Sequence, residues 1–322
     1  MIREGKLTNR QLEEMIFSKL RKNRTETVTG AGVGKDCAVL DLEDNYCVLS
    51  TDPITASEDG LGKLCVNIST NDIASSGAES VAIMITMLIP PHESMENVEK
   101  VIDEAISSCN ELNIDLIGGH TEVTDAVNRI ILSAVAIGKM PKKPFREVMA
   151  GDKLVMSKFA ATEGIGIISS AHSDKLREIL SEEELLEAMD MLNHTSVKQE
   201  GIIGSQMNVK LMHDATEGGV LGAAWEMADN ASLGLTVYKD LIPIKDVSVK
   251  TARFFNIDPY RLISSGVMLF ATDNAEQLKE ELLRNGINAQ IIGEFTEAGM
   301  LISEGGNTYE LTPPESDELY KL

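Results

Sequence analysis

The side chains able to do chemistry in this chain are mostly carboxylates, and they recur beside glycines or where an apolar run ends. Five instances stand out: Gly34-Lys-Asp36, Ser50-Thr-Asp52, Asn71-Asp72, Gly118-Gly-His-Thr-Glu122 and His213-Asp-Ala-Thr-Glu-Gly-Gly219. Taken singly, each is explained by turn closure or helix capping, which Asp and Asn perform well. Their shared placement asks for more. Carboxylates at the ends of separate strands and helices can converge on one Mg2+, an ion that takes octahedral oxygen ligands and keeps some for water and phosphate. Paired glycines let the backbone approach a phosphate, and a helix beginning near Gly218 would offer free N–H groups to an anion. A magnesium nucleoside triphosphate meets all of these demands together.

The glycine-rich loop Gly30-Ala-Gly32-Val-Gly34-Lys35-Asp36 fits neither of two familiar nucleotide motifs. A Walker A loop needs Gly where Thr29 stands and Ser or Thr where Asp36 stands. The dinucleotide fingerprint needs a third Gly at Lys35, and this loop leads into a strand rather than out of one.

Several elements must position these groups. Leu7 to Leu20 has helical spacing with Thr8 as N-cap. Strands are expected over Cys37–Leu42 and Tyr46–Thr51, with Glu43-Asp-Asn45 as the turn between them. Leu61 to Ser76 reads as a helix, Ser80–Ile89 as a strand, Met95 to Leu112 as an amphipathic helix, and Asp115–Ile117 as a short strand ended by Gly118-Gly119. Arg129 to Ile137 is a further strand. The pattern breaks around Pro141–Asp152, which divides the chain into domains at 1–140 and 151–322. In the second half, Lys153–Lys158 reads as a strand, and Ser181-Glu-Glu-Glu184 as a capping box opening a helix to about Leu192. Gly218-Gly219 opens another helix through Asn230, and Leu262–Ala271 and Ala289–Ile292 look like strands. Alternating strands and helices make both halves α/β or α+β.

Composition narrows the function classes. The 322 residues carry 51 Asp plus Glu against 29 Lys plus Arg, a formal charge of −22. That field repels phosphate backbones and argues against nucleic acid as a general partner. No apolar run approaches the roughly 20 residues of a membrane span, and the N-terminus has no apolar signal core, so a cytoplasmic location is expected. Cys37, Cys47, Cys65 and Cys109 form no C-x-x-C pair and read as buried free thiols rather than as a zinc or disulfide framework. Aromatics are only 4%, so the core must rest on Leu, Ile, Val, Ala and Met.

In order and spacing, these motifs resemble the superfamily of aminoimidazole ribonucleotide synthetase, selenophosphate synthetase, thiamine-monophosphate kinase and HypE, with the HypE branch nearest. Gly34-Lys-Asp-Cys-Ala-Val39 is similar to the family's Gly-Asp-Asp-Ala-Ala-Val run, and Ser50-Thr-Asp52 to its Thr-Thr-Asp strand end. Asn71-Asp-Ile-Ala-Ser-Ser-Gly-Ala78 resembles its Asn-Asp-Leu-Ala-x-x-Gly-Ala helix. Gly118-Gly-His-Thr121 resembles its Gly-Gly-Asp-Thr loop, and Asp214-Ala-Thr-Glu-Gly-Gly219 its Asp-x-Thr-Arg-Gly-Gly helix start. The resemblance implies a two-lobed fold, a homodimer whose N-terminal sheets pair into a barrel, and a C-terminal α/β lobe. It also implies ATP with Mg2+ in the cleft, used to phosphorylate a carbonyl, amide or similar oxygen. Carried over by position, Asp36, Asp52 and Asp72 would hold metal. Gly34, Lys35, Asn71, Gly118, Gly119, His120 and Thr121 would line the nucleotide. Asp214, Thr216 and His213 would face the reacting end.

The chain also departs from the family pattern. Lys35 replaces the first Asp of a pair, Glu217 replaces an Arg, and His120 replaces an Asp, as a phosphate contact or as a structurally held His. No cysteine follows Cys109, so the terminal-Cys chemistry of HypE proteins has no acceptor here. Three functions remain open: an ATP-dependent HypE-like enzyme with an unidentified small-molecule or protein-borne substrate, a nucleotide-binding maturation or regulatory partner with altered catalysis, and a small-molecule kinase.

Overall fold

The computed structural model describes residues 27–29, 32, 35, 37–55, 60–142, 146–314 and 316–322, together with Arg10, Glu13 and Ser18. The helix expected over 7–20, Gly34 and Asp36 therefore lie outside the described residues, apart from those three single positions.

The first sheet contains β1 (Thr27–Thr29), β2 (Ala38–Leu42), β3 (Asn45–Ile54), β4 (Glu79–Ile89), β5 (Asp115–Val123) and β6 (Ile131–Pro141), in the order β1-β2-β3-β6-β4-β5. β4 and β5 run parallel; the other neighbours are antiparallel. On β6, Leu132, Ala134, Ala136, Gly138 and Met140 are buried while the residues between them are not. This period of two marks a sheet covered on one face only. The cover is α1 (Leu61–Ser75) and α2 (Met95–Glu111), whose Leu64, Cys65, Ile68, Val98, Val101 and Ala105 pack with Ile83, Leu132 and Ala134. Gly138 lets α1 lie close, because a Cβ there would overlap the Ile73 side chain.

The second sheet contains β7 (Lys153–Ser157), β8 (Leu211–Asp214), β9 (Gly234–Tyr238), β10 (Met268–Thr272), β11 (Ala289–Thr296), β12 (Met300–Glu304) and β13 (Asn307–Glu310), in the order β13-β12-β9-β11-β7-β10-β8. Both of its faces are covered, and its central strands β7 and β10 are accordingly apolar runs without alternation. The longer helices of this half are α3 (Thr162–Ala171), α4 (Glu182–Asp190), α5 (Lys198–Gln206), α6 (Gly219–Ala231), α7 (Asp246–Phe255) and α8 (Ala275–Arg284). α6 covers one face through Val220, Leu221, Ala224, Met227 and Ala228. α5 and α8 cover the other, with Ile203, Leu278 and Leu282 against Val155, Met268 and Phe270. α3, α4 and α7 enclose a separate cluster. The Ser181–Glu184 capping box is present, each partner accepting from the other's backbone N–H. No helix among the described residues is long and apolar enough to cross a membrane.

Two expected elements are corrected. The strand at 115 does not stop at Ile117; β5 runs through both glycines to Val123. The apolar stretch 262–271 becomes strand only from Met268. Before that point its polar groups hold neighbours instead: the Ile263 carbonyl accepts Gly164 N–H (3.0 Å), Ser264 Oγ accepts Ala161 N–H (2.8 Å), and the Val267 carbonyl accepts Ala215 N–H (3.0 Å). Burial alone cannot separate such a braced loop from a strand.

α1 joins the two halves. All its residues except Lys63 are buried, polar ones included. Asn71 Nδ2 donates to the Thr195 carbonyl (2.7 Å), and its Oδ1 accepts from Val197 N–H (2.8 Å). Asn67 bridges Thr195 Oγ1 (3.1 Å) and Ser108 Oγ (2.9 Å). Asn71→Ala would strand a buried carbonyl and a buried N–H, each costing about 1–3 kcal/mol. Thermal or urea unfolding should show a loss of roughly 2–4 kcal/mol, and an unchanged midpoint would remove Asn71 as the brace between the halves.

Candidate functional site

Asp72 sits on the last turn of α1, against β3. Its Oδ2 accepts the Ser50 hydroxyl, and its backbone carbonyl accepts Cys37 Sγ (3.1 Å), Ser75 Oγ (2.9 Å) and Ser76 N–H (3.1 Å). β3 turns Val48, Ser50 and Ile54 toward α1, and this alternation lets a mostly apolar strand present one hydroxyl to the carboxylate. Lys35 N–H bonds the Gly32 carbonyl (3.2 Å).

Lys35, Cys37, Asp72 and Ser75 of the first half face Arg146, Ser205, Lys210 and Met212 of the second across a cavity of about 280 Å3. The two cations of the second half are tethered. Lys210 Nζ contacts both Asp152 oxygens (2.8 and 2.9 Å), and Arg146 reaches Asp273 (2.5 Å) and the Asn208 carbonyl (3.0 Å). The Arg146 hydrogen bond, with Lys210 nearby, holds the Asp273 carboxyl below the usual range.

Of the expected ligand set, Asp52 and Asp72 lie among the described residues and Asp36 does not. Asp52 lies on β3 two residues from Ser50, and its charge helps keep the buried Cys65 thiol protonated, after burial itself, which pushes that thiol up to about 12. Cys109 rises to about 11 for the same first reason. Both thiols are inert as nucleophiles, because the thiolate is the reactive form. Among the described residues no three His, Cys, Asp or Glu side chains group as a metal site, and Asp36 lies outside them.

Asn71, expected beside the nucleotide, is instead fully buried and uses both ends of its amide as the brace described above. Gly118, Gly119, His120 and Thr121 lie on the edge strand β5, exposed. Residue pairing runs Asp52–Ala134–Ile85–Gly119 across one row of the sheet. Three strand spacings therefore separate Asp52 from Gly119, about 14 Å. His120 Nε2 is 3.6 Å from Glu122, an exposed pair. Gly119 (φ +146) has a packing role as well, since a Cβ there would overlap the Ile85 carbonyl.

In the second half, His213 and Asp214 end β8 and are buried, with His213 Nε2 3.2 Å from Glu226 Oε2 on α6. Thr216 accepts Gly219 N–H through its carbonyl (3.0 Å). The start of α6 is not the open anion seat expected from Gly218-Gly219. Gly218 N–H donates to Asp317 Oδ2 (2.8 Å), and Leu221 N–H to the Tyr260 carbonyl (3.1 Å). Sequence reasoning also missed Glu163, wholly buried on α3, whose carboxyl is pushed up to about 8 by burial, with Glu217 and Asp317 adding to the rise and Ser265 opposing it. The polar start Thr162-Glu163 of an otherwise apolar helix was the available signal.

The sequence profile of the AIR synthase related protein N-terminal domain matches residues 34–140, and that of the C-terminal domain matches 149–305. The chain belongs to the AIR synthase related family. A Methanocaldococcus jannaschii protein whose name places it in hydrogenase expression and formation is 28% identical over 302 residues, 89% of this chain and 88% of that one. Carbamoyl dehydratase HypE of Rhizobium leguminosarum bv. viciae is 24% identical over 300 residues, 88% and 81% of the two chains. Among solved structures, a chain of a HypE–HypF complex superposes with a TM-score of 0.78 at 20% identity, over 94% of this chain and 99% of that one. HypE in complex with ATP superposes at 0.72 with 18% identity, over 98% and 97%. At these identities the superpositions establish the family fold.

Gly119→Ala should separate β4 from β5 and lower stability by about 1–3 kcal/mol, the usual range for forced overpacking. Faster amide exchange confined to 115–123 is the expected signature, and unchanged exchange there would mean the strand can shift without loss.

Proposed function

We propose that this chain is an ATP-dependent enzyme of HypE-like type that phosphorylates a carbonyl, amide or similar oxygen of a small-molecule or protein-borne substrate. The observation that carries the proposal is the Asp72–Ser50 pair at the wall of the cavity between the halves, with Lys35 opposite the second half. A relative named carbamoyl dehydratase and a same-fold HypE bound to ATP support the nucleotide. Hard carboxylate oxygens suit Mg2+, and Asp52 and Asp72, with Asp36, would hold it. When bound, the ion would neutralise developing phosphate charge. The protein's own part is positioning: Ser50 orients the Asp72 carboxylate, Lys35 offers an ammonium to phosphate, and His213, Asp214 and Thr216, which follow the cavity-lining Met212, would serve the reacting end. The division of labour follows the two sheets, with 1–140 binding nucleotide and 151–322 shaping the reacting end.

The same reading includes a homodimer in which N-terminal sheets pair into a barrel. The uncovered face of the first sheet carries Met84 and Val135, and its edge strand carries Leu116, Ile117 and Val123, all exposed. A second copy on this face would also supply a Gly118–Thr121 segment, which lies too far from Asp52 within one chain. Light scattering should give a dimer mass, and Met84→Lys with Val135→Lys should halve it. A monomer in the unchanged protein would remove this arrangement.

Calorimetry with ATP, with and without Mg2+, tests the site. Asp72→Asn should weaken magnesium-dependent binding about tenfold or more, whereas equal affinity would take the metal away from Asp72. A second reading, a nucleotide-binding maturation or regulatory partner without turnover, is favoured by the Asp317 carboxylate that already occupies the Gly218 amide. Product analysis separates these readings: free phosphate for the enzyme, a phosphorylated metabolite for a kinase, no ADP for the partner.

A further inference from the structure

The segment after β13 returns over the start of α6 and is seated there by several independent contacts. Pro314 packs against Gly218 and Gly222, leaving no space for a side chain at Gly218. Asp317 Oδ2 accepts Gly218 N–H and its Oδ1 accepts Leu319 N–H, both at 2.8 Å. Glu318 Oε2 accepts Asp258 N–H (3.2 Å), and Arg261 donates to Thr312 Oγ1 (3.0 Å). Leu311 is buried in the main core of the second half.

The charges facing this seat are mostly of one sign. α3 contributes Glu163, the lead-in to α6 contributes Glu217, the 258–261 turn contributes Asp258 and Arg261, and the segment itself contributes Asp317, Glu318 and Lys321. Lys321 pairs with Glu318 (2.5 Å) and Arg261 bonds Thr312. Among the described residues no cation pairs with Glu163, Glu217 or Asp317. Glu163 is buried, and Ser265 beside it only partly offsets the cost of that burial. Such a cluster is stable in the interior only when some of its members carry protons.

We propose that residues 311–314 and 316–322 form a proton-linked latch over the His213–Gly219 motif: closure buries Asp317 and Glu163 beside the half-buried Glu217 and takes up protons on the two buried carboxyls, and alkaline conditions release it. Opening frees the Gly218 amide for an anionic group of a ligand. The latch goes beyond the nucleotide reading and does not depend on it. Burial raises the closed-state Asp317 from its ordinary 3.8 to about 6, and Glu163 from 4.5 to about 8. A carboxyl raised on closing favours the closed form fully below its ordinary value, and that advantage is lost as pH rises through the raised one. Asp317 therefore acts between about pH 4 and 6, and Glu163 between about pH 4.5 and 8. Each weakens closure about tenfold per pH unit within its range.

Hydrogen exchange on the full chain, corrected for intrinsic rates, tests this at the Gly218 and Leu319 amides. From pH 6 to 8 their protection should fall at least about tenfold. Glu163→Gln keeps the shape of the protonated acid and should abolish that fall. Asp317→Asn keeps an acceptor for Gly218 and should leave only the Glu163 share of the response between pH 4.5 and 6, about tenfold per unit where the unchanged protein shows about a hundredfold, which serves if Glu163→Gln does not fold. Constant protection in the unchanged protein, or the full pH response retained in the variants, would overturn the latch.

Discussion

A helix that is polar yet buried on every side sets the constraints on this molecule. α1 lies between the first sheet, α2 and the second half, so its Asn67, Ser69, Thr70, Asn71, Asp72 and Ser75 have no solvent to face. Buried polar groups must find partners or cost free energy. Asn67 and Asn71 find theirs on the backbone and side chain of Thr195 and on Val197, across the seam. The mutual placement of the halves is therefore specified by directional bonds, which tolerate less sliding than an apolar contact would. Gly201 serves the same fit, since a Cβ there would press on the Ala74 carbonyl at 2.5 Å.

That rigidity determines where Asp72 can be. One residue beyond Asn71, about 100° further round the helix, it projects toward Ser50 and the cavity. The brace and the proposed ligand are thus adjacent residues with opposite duties, one tying α1 to the second half and one facing the cleft. Nothing in the local sequence distinguishes them, because Asn and Asp look alike as polar residues in a helical pattern.

The two sheets differ in a way that bears on assembly. The second is covered on both faces and its central strands are uniformly apolar. The first alternates, and the face away from α1 and α2 is left with Met84, Val135 and an apolar edge strand. Exposed apolar strand edges are surfaces that proteins ordinarily cover or pair. The region around Gly218 shows the converse economy, where the chain's own carboxylate stands at a backbone amide that an external anion would otherwise meet.

Much of this was legible from residue order alone. The capping box at Ser181 follows from capping chemistry and the helices α1 and α2 from periodicity, both of which act within a turn or two of chain. The strands β2, β3, β4 and β6 follow from alternation and bounding turns, and the five acidic motifs pointed to the family. Only tertiary structure could decide the rest. The β5 glycines look like a loop until β4 lies beside them, because strand formation there depends on partners far back in the chain, Met84 and Ile85. The 262–267 stretch looks like a strand until its carbonyls and hydroxyl are taken by α3 and Ala215. Asn71 and Asp72 part company because one side chain meets the second half and the other meets β3. Sequence conveys what each residue can bond to, but which bond forms depends on which surfaces folding brings within three ångströms.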